Sequence, residues 1–227
     1  MIVLIEDDQS ICKLVQYALE MNGFSVASFS RAEEFYEKKV KDVSLYILDI
    51  MLPGISGIEV LERIRKNEKE NVPVMMLTAK SEEYDIVLAL DKGADDYITK
   101  PFGILELIGR VKALLRRSQY YEGKRSKRIL SSHILLDDEE HRVYVDEKEI
   151  FLTPKEYDLL DYLMRNENTA ISRETLLFEV WGYTTNCLSR TVDVHIKHLR
   201  ERLGERGSSI ETVKGIGYRF NGGKDEE

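Results

Sequence analysis

Five short apolar runs, each followed by a segment with apolar residues at helical spacing, organise the first half of the chain. We predict strands at Ile2–Ile5, Ser25–Phe29, Ser44–Leu48, Val74–Leu77 and Asp96–Ile98. The predicted helices are Ser10–Asn22, Ala32–Lys39, Gly57–Asn67, Glu82–Lys92 and Ile104–Arg117. Because strands that are apolar throughout must be covered on both faces, this alternation predicts a parallel α/β sheet with helices on each side.

The second half follows a different pattern, which predicts an α+β domain. Short antiparallel strands are predicted at Ile134–Leu136, Arg142–Val145 and Glu149–Leu152. Three helices follow at Pro154–Arg165, Arg173–Trp181 and Arg190–Leu203, and then a hairpin at Ile210–Phe220. A polar, basic segment without periodicity separates the two halves. For a chain of 227 residues we therefore predict two domains, 1–117 and 131–222, with a linker at 118–130 and a disordered tail at 223–227.

Composition narrows the class of protein. No apolar run reaches the ~18 residues that a membrane span needs, and the apolar start lacks the basic region of a signal peptide, so we expect a cytoplasmic protein. Cys12 and Cys187 have no metal-ligand spacing and are expected to be reduced thiols.

The net charge of −8 argues against non-specific coating of nucleic acid. Residues 190–219 nevertheless carry seven basic and four acidic side chains, a net +3, which is a local basic footprint.

Acidic residues follow two of the predicted strands. Glu6 and Asp7 come after the first strand and Asp49 after the third. In a flavodoxin-like, doubly wound strand order these two strands are neighbours, so the three carboxylates converge where such sheets bind ligands. Carboxylates this close repel one another unless a cation joins them, and oxygen ligands favour Mg²⁺. The alternative is three unrelated surface acids at helix starts, where the helix dipole favours them.

Two further polar residues end strands at the same edge of the sheet. Thr78 ends the fourth predicted strand and Lys100 follows the fifth, so a hydroxyl and an ammonium group reach the carboxylates. Carboxylates, a metal, a hydroxyl and a lysine suit a phosphoryl group carried on a carboxylate. Mg²⁺ and Lys100 would neutralise the charge that develops on the phosphoryl oxygens.

Four motifs in the first half, I-E-D-D, L-D-I-M-L-P-G-I-S-G, L-T-A and G-A-D-D-Y-I-T-K-P-F, resemble the receiver domain of two-component response regulators in order and context. The resemblance runs from Met1 to about Arg117. It implies that Asp49 is the phosphoacceptor and that a sensor histidine kinase is the donor. It also implies Mg²⁺ binding by Asp7, Asp49, the backbone carbonyl of Met51, and Glu6 directly or through water. Lys100 would contact the phosphoryl group, Thr78 and Tyr97 would form a switch pair, and Lys100–Pro101 would be cis.

The segment Arg190–Leu203 predicts an amphipathic helix with an apolar stripe of Val192, Ile196, Leu199 and Leu203. The alternative is a solvated helix with alternating charge. The order of helices and the glycine-containing hairpin after them favour a winged helix, with this helix in the major groove of DNA.

The motifs L-T-P-K-E-Y-D-L-L, V-W-G-Y, S-R-T-V-D-V-H-I-K-H-L-R and V-K-G-I-G-Y-R-F resemble the OmpR/PhoB-type output domain over about Ser131–Phe220. The resemblance implies phosphate contacts by Trp181, Arg190, His195, Thr212, Lys214 and Tyr218. It implies base-facing positions for Asp193, Val194, Lys197 and His198. Many relatives carry Arg where this chain has His198, and bidentate reading of guanine needs a guanidinium or ammonium group. In relatives the loop equivalent to Trp181–Leu188 touches RNA polymerase.

The same family resemblance implies a homodimer that forms on phosphorylation through the fourth helix, fifth strand and fifth helix. The corresponding residues are Ile86, Leu90, Asp95, Asp96, Glu106, Arg110 and Arg117. The basic partner that Glu106 has in relatives is replaced here by Ile86. We therefore expect one ion pair fewer and more apolar contact in this dimer.

These observations predict a phosphorylation-controlled transcription regulator, not an enzyme, that binds tandem DNA half-sites. A phosphatase of the haloacid-dehalogenase type is one alternative, but it needs a second Asp two residues after the nucleophile, where this chain has Met51. A degenerate receiver that is never phosphorylated is a second alternative, but such chains lose pocket residues that are all present here. A scaffold that does not bind DNA is a third, and the match to the recognition helix argues against it.

Overall fold

We describe the protein from a computed structural model, which covers residues 1–66, 72–79, 83–115, 128–138, 140–182 and 189–223. The chain forms two compact units, Met1–Ser118 and Gln119–Glu227, and each is described by itself. Most of the predicted linker and the last four residues of the predicted tail lie outside the described residues. Among the described helices, none is long and apolar enough to cross a membrane.

The first unit is a five-stranded parallel sheet with helices between its strands. The strands are β1 (Ile2–Ile5), β2 (Val26–Phe29), β3 (Leu45–Asp49), β4 (Val74–Ala79) and β5 (Asp96–Lys100). The helices are α1 (Gln9–Met21), α2 (Ala32–Lys38), α3 (Gly57–Lys66), α4 (Glu83–Asp91) and α5 (Ile104–Leu115). The strand order β2-β1-β3-β4-β5, with every pair parallel, confirms the predicted flavodoxin-like fold.

The core of this unit explains why its strands are apolar throughout. All four residues of β1 and all five of β3 are buried, because helices cover both faces of the sheet. Val15 and Leu19 of α1 pack with Leu107 and Val111 of α5 in one cluster on the sheet. At ~1.5–3 kcal/mol for each large side chain removed from water, this packing is the main stabilising contribution.

The second unit contains two antiparallel sheets around a set of helices. A four-stranded sheet has the order β6 (Arg128–Ser131), β7 (Ile134–Asp137), β8 (Arg142–Val145), β9 (Lys148–Ile150). The helices are α6 (Pro154–Arg165), α7 (Arg173–Leu176), a π-helical turn (Leu177–Trp181) and α8 (Ser189–Leu203). A three-stranded sheet has the order β10 (Ile171–Ser172), β12 (Gly217–Phe220), β11 (Ile210–Val213). This is the predicted winged-helix arrangement.

Several boundaries in the second unit differ from the sequence prediction. Strand β6 begins at Arg128, inside the predicted linker, where Arg128 pairs with Asp137 of β7. The sequence did not predict β6, because its alternation of exposed and buried residues is too short to be recognised after a basic run. Strand β9 ends at Ile150 and not at Leu152, and the two-residue β10 was not predicted. Both short strands depend on their partner strands more than on local sequence.

Local signals account for the helix starts. Thr153 accepts a hydrogen bond from Glu156 N while the Glu156 carboxylate accepts one from Thr153 N, so both form a capping box around Pro154. The Ser172 hydroxyl similarly caps α7. In the hairpin, a Cβ at Gly217 would lie 2.1 Å from the Ile171 carbonyl oxygen, so pairing of β10 with β12 requires glycine there.

Candidate functional site

An acidic cluster lies at the carboxyl edge of the parallel sheet. Strands β1 and β3 are neighbours, and Ile5 is paired with Leu48, so the residues that follow them meet. Glu6, Asp7 and Asp49 each place a carboxylate oxygen within 4.8 Å of the others. Glu6 and Asp49 are buried, at 1% and 5% exposure, while Asp7 is exposed. The predicted carboxylates are thus brought together in a pocket that opens to solvent on the Asp7 side.

Lys100 joins the two buried carboxylates. Its ammonium group donates to Asp49 Oδ2 at 2.7 Å and to Glu6 Oε1 at 2.9 Å. Burial lowers the pKa of Lys100, but the hydrogen bonds to Asp49 and Glu6 outweigh this and raise it overall. Burial raises the pKa of Glu6, the Lys100 hydrogen bond opposes the rise, and the Asp49 charge adds to it. Lys100 pairs with two of the three acidic groups of the cluster, which leaves an excess of negative charge.

The donor set fits a hard divalent cation. Glu6 Oε2 is buried and forms an ion pair with the Lys100 ammonium at 2.7 Å, but it has no hydrogen-bond partner among the described residues. Met51 N donates to Asp49 Oδ1 at 3.1 Å, which brings the Met51 peptide beside the cluster. Carboxylate oxygens with access to solvent are the ligands that Mg²⁺ prefers, because it retains several waters.

The backbone after Asp49 turns back on itself, and this feature was missed at the sequence level. A Cβ at Gly57 would lie 1.9 Å from the Asp49 carbonyl oxygen. Gly57 N also donates to Ile50 O at 3.1 Å. The loop can approach the strand this closely only because residue 57 lacks a side chain. The available signal was the glycine that ends the motif L-D-I-M-L-P-G-I-S-G.

The two predicted switch residues are both buried on neighbouring strands. Thr78 is 1% exposed, and its hydroxyl donates to the Ala79 carbonyl oxygen at 3.2 Å. Tyr97 is 5% exposed and is paired with Met76 across β4 and β5. The Lys100–Pro101 peptide is cis, which confirms that expectation.

The charged residues predicted at a dimer interface have partners within the chain. Asp95 is fully buried and accepts from Arg65 at 2.6 Å. Arg110 is 5% exposed, lies 3.2 Å from Asp96 and donates to Glu106 at 2.7 Å. Burial makes an internal partner necessary for these groups, and their part in a dimer interface stays a prediction.

The apolar members of that predicted set differ in exposure. Leu90 is 1% exposed and belongs to the core, so its side chain is not available to a partner. Ile86 is partly exposed on α4. Arg117 lies outside the described residues.

Helix α8 buries two adjacent rows of side chains. The predicted stripe is buried, with Val192 and Leu199 at 0% exposure. Thr191 and His195 are buried as well. The His195 ring lies 5.0 Å from the Trp181 ring in an edge-on contact. The predicted phosphate contacts Trp181 and His195, at 1% and 2% exposure, are therefore core side chains, because α8 packs on the π-helical turn through them.

His198 continues this buried side of the helix. Its side chain is 12% exposed, and Nδ1 lies 3.9 Å from Glu156 Oε1 on α6. In the chain without DNA the ring is directed toward α6, and a base-facing role for His198 stays a prediction. The opposite side of α8 carries Arg190 and Lys197, which are exposed, and Val194, which is partly exposed.

Asp193 and Tyr218 are tied together at the junction of α8 and the hairpin. The Tyr218 hydroxyl donates to Asp193 Oδ1 at 2.6 Å, and Arg173 Nε donates to the same oxygen at 2.7 Å. Burial, followed by the hydrogen bond and the charge of Asp193, raises the pKa of Tyr218 to about 12. Tyr218 was predicted to contact phosphate, but its hydroxyl is engaged within the protein.

The hairpin presents one basic residue at its tip. Lys214 is exposed and precedes Gly215, whose φ of +77° forms the turn. Thr212 is exposed, but its hydroxyl accepts from Arg200 at 2.9 Å. Of the predicted phosphate contacts, Arg190 and Lys214 are the cations that the structure leaves at the surface.

Known proteins resemble both units. The chain matches the response regulator receiver domain over residues 2–112 and the C-terminal domain of transcriptional regulatory proteins over residues 147–220. It is 41% identical to the transcriptional regulatory protein SrrA of Staphylococcus aureus, over 100% of this chain and 97% of that protein.

Two solved structures resemble the chain over nearly its whole length. A mutant of RitR has a TM-score of 0.74 at 27% identity and covers 98% of this chain and 99% of its own. The response regulator DrrB, an OmpR/PhoB homolog of Thermotoga maritima, has a TM-score of 0.52 at 30% identity and covers 97% of this chain and 98% of its own.

Proposed function

The chain belongs to the response regulators that join a receiver domain to an OmpR/PhoB-type DNA-binding domain, and from that membership we propose that it carries its phosphoryl group on Asp49 with Mg²⁺ alongside. Members of this family are phosphorylation-regulated transcription regulators and not catalytic enzymes. A receiver domain implies a sensor histidine kinase as partner, and the C-terminal domain implies DNA binding. Binding to the chromosome would place its action in the cytoplasm.

One observation carries the assignment of Asp49: its buried carboxylate lies 2.7 Å from Lys100 and within 4.8 Å of two further carboxylates. A carboxylate oxygen of Asp49 attacks the phosphorus of the kinase phosphohistidine. The bond from phosphorus to the imidazole nitrogen breaks, and the nitrogen keeps the electron pair. Lys100 stays beside the phosphoryl oxygens and offsets their charge.

Glu6, Asp7, Asp49 and the Met51 carbonyl would hold the metal. Mg²⁺, when bound, offsets the charge that builds up on the phosphoryl oxygens during transfer. Glu6 contributes a buried oxygen without a hydrogen bond, and Asp7 contributes an exposed carboxylate that reaches solvent. Gly57 lets the loop after Asp49 lie close to the end of the strand that carries the acceptor.

Labelling with acetyl phosphate tests the acceptor. The wild-type chain should gain one phosphoryl group by intact mass in the presence of Mg²⁺ and none after chelation. Asp49→Asn should gain none, while Asp42→Asn, which alters an exposed carboxylate, should label normally. Full labelling of Asp49→Asn would show that another residue is the acceptor. Turnover of a phosphoester substrate would instead favour a phosphatase.

For the DNA-binding unit, we propose binding to tandem half-sites about one helical turn apart, with α8 in the major groove. Arg190 on α8 and Lys214 at the hairpin tip are exposed cations suited to phosphates. Binding should therefore weaken steeply as salt is raised. The segment Trp181–Leu188, most of which lies outside the described residues, is proposed to contact RNA polymerase on the family resemblance alone.

We further propose that phosphorylation produces a homodimer through α4, β5 and α5. Because Asp95, Asp96 and Arg110 already have internal partners, the contact depends on other groups of that face. Ile86 is partly exposed there, and Glu106 is 48% exposed.

A further inference from the structure

A lysine is buried in the second unit at a place where a cation is not expected. Lys155 is 3% exposed and lies in the first turn of α6, directly after Pro154. The partial positive charge at the N-terminus of a helix disfavours a cation there, and burial of an ammonium group is costly unless the group is paired. The position of Lys155 therefore depends on what the rest of the unit places around its ammonium group.

The end of the π-helical turn holds this ammonium group. Lys155 Nζ donates to the Val180 carbonyl oxygen and to Asp158 Oδ2, the latter at 3.3 Å, and it lies 5.9 Å from the centre of the Trp181 ring. The last carbonyl groups of a helix have no helical donor, and the partial negative charge at that end favours a cation. Lys155 thus supplies a donor and a positive charge where the π-helical turn ends.

The π-helical turn is itself an unusual element. It spans Leu177–Trp181 and is closed by Gly182, which has a φ of +80° and whose N–H donates to the Phe178 carbonyl oxygen at 2.8 Å. Single π-helical turns are rare and occur frequently at functional sites. Because Lys155 contacts the last two residues of the turn, it helps to fix how the turn ends.

Trp181 carries this contact on to α8. Its ring meets the His195 ring edge-on at 5.0 Å, and both side chains are buried. His195 Nδ1 in turn lies 2.8 Å from the Thr191 carbonyl oxygen within α8. Since protein interiors are closely packed, two buried rings in this contact leave little freedom in how the elements that carry them are placed. The placement of α8 therefore depends on Trp181, and through Trp181 on Lys155.

We propose that Lys155 is a positioning residue for DNA binding, which acts through Val180 and Trp181 to hold α8 in the orientation that binds DNA. This rests on the proposed function of α8. Lys155 is buried and would touch no phosphate itself. Without its ammonium group α8 would populate other orientations, and the affinity for DNA would fall in proportion to the fraction that remains competent.

Binding of DNA by the full chain with Mg²⁺ and beryllofluoride tests the proposal. The probe is a labelled duplex that the wild type enriches from a random pool, and affinity is measured by fluorescence anisotropy as salt is raised. Lys155→Met keeps an apolar side chain of similar length but removes the donor. It should lower affinity about tenfold, the change that loss of one hydrogen bond to a charged group typically produces.

The salt dependence separates positioning from direct contact. Loss of a phosphate contact reduces the slope of log affinity against log salt by about 0.9, whereas a smaller competent fraction leaves the slope unchanged. Lys155→Met should therefore keep the wild-type slope. Lys214→Ala, which removes an exposed cation at the hairpin tip, should reduce it.

Trp181 provides a second readout, because it is the single tryptophan and is 1% exposed. Quenching of its fluorescence by acrylamide should be weak in the wild type and stronger in Lys155→Met. Val143→Ala is the matched control: it removes buried volume from β8 of the same unit and should lower stability, while it keeps wild-type affinity and quenching.

A double variant tests whether Lys155 acts through Trp181. Trp181→Phe should also lower affinity without a change of slope, and Lys155→Met combined with it should lose no more than the larger single loss. If Lys155→Met does not fold, Lys155→Gln takes its place with a smaller expected loss, because it keeps a donor for the Val180 oxygen.

Wild-type affinity in the Lys155 variant, a slope reduced by about 0.9, or an equal loss of affinity in Val143→Ala would overturn the proposal. Additive losses in the double variant would overturn the path through Trp181. If the wild type enriches no duplex, the proposed DNA binding itself fails, and unchanged quenching in Lys155→Met would show separately that Lys155 does not hold Trp181.

Discussion

Removal of the Asp95 carboxylate should destabilise the first unit without any involvement of a dimer. Asp95 is fully buried and accepts hydrogen bonds from Arg65 at 2.6 Å and from Val74 N at 2.8 Å. Asp95→Ala would leave both donors without this acceptor. Breaking a buried ion pair costs about 3–5 kcal/mol. Arg65 retains its hydrogen bonds to the Gly93 and Val72 carbonyl oxygens, so we expect about 3 kcal/mol.

Urea unfolding of the full chain measures this loss. With a slope of roughly 1–3 kcal/mol per molar, a loss of about 3 kcal/mol moves the midpoint of the first unit down by about 1–3 M. Trp181 is the single tryptophan and lies in the second unit, so its fluorescence should show an unmoved transition while circular dichroism shows the shift.

Glu62→Gln provides the matched control. Glu62 pairs with Lys92 in the same unit, but both side chains are more than 30% exposed, at 34% and 40%. Exposed pairs contribute little to stability, so this variant should unfold with the wild-type midpoint. A shift in Asp95→Ala no larger than that of Glu62→Gln would refute the reasoning. If Asp95→Ala unfolds with the wild-type midpoint but forms a weaker beryllofluoride-dependent dimer, Asp95 contributes to the dimer interface.

Three further outcomes are expected. Gly57→Ala should slow labelling by acetyl phosphate and destabilise the first unit by about 1–3 kcal/mol, because the added Cβ would lie 1.9 Å from a backbone oxygen. Gly109→Ala is the control and should do neither, because a Cβ there would have no atom within 4 Å. Ile86→Arg should strengthen beryllofluoride-dependent dimerisation at low salt in analytical ultracentrifugation, because Glu106 on the same face is half-exposed; an unchanged or weaker dimer would contradict the proposed face. Tyr218 has a pKa of about 12 in the folded protein against 10.0 ordinarily, so its contribution to stability should be complete below pH 10 and be lost as pH rises toward 12. The free energy of unfolding, measured from pH 9 to pH 11, should therefore fall with pH in the wild type, and this pH dependence should be absent in Tyr218→Phe.

The sequence alone determined the architecture of the first unit and its acidic pocket. Continuous apolar strands require helices on both faces, and the parallel order makes the strand ends meet at one edge. Glu6, Asp49 and Lys100 each follow or end a buried strand, so their convergence followed from topology without knowledge of side-chain geometry. Local capping signals such as Thr153 and Glu156 likewise determined where α6 begins.

Only the tertiary structure decided which charges and which helix faces are available to partners. Helical periodicity located the apolar stripe of α8, but it could not show that α6 and the π-helical turn also cover the flank that carries His195 and His198. The family resemblance singled out Asp95 and Arg110, but the sequence does not show whether such a charge pairs with a residue of the same chain, as Asp95 does with Arg65, or with a residue of a second chain. Periodicity is a property of one helix, whereas burial and pairing depend on which elements pack against it, and those elements are distant in sequence.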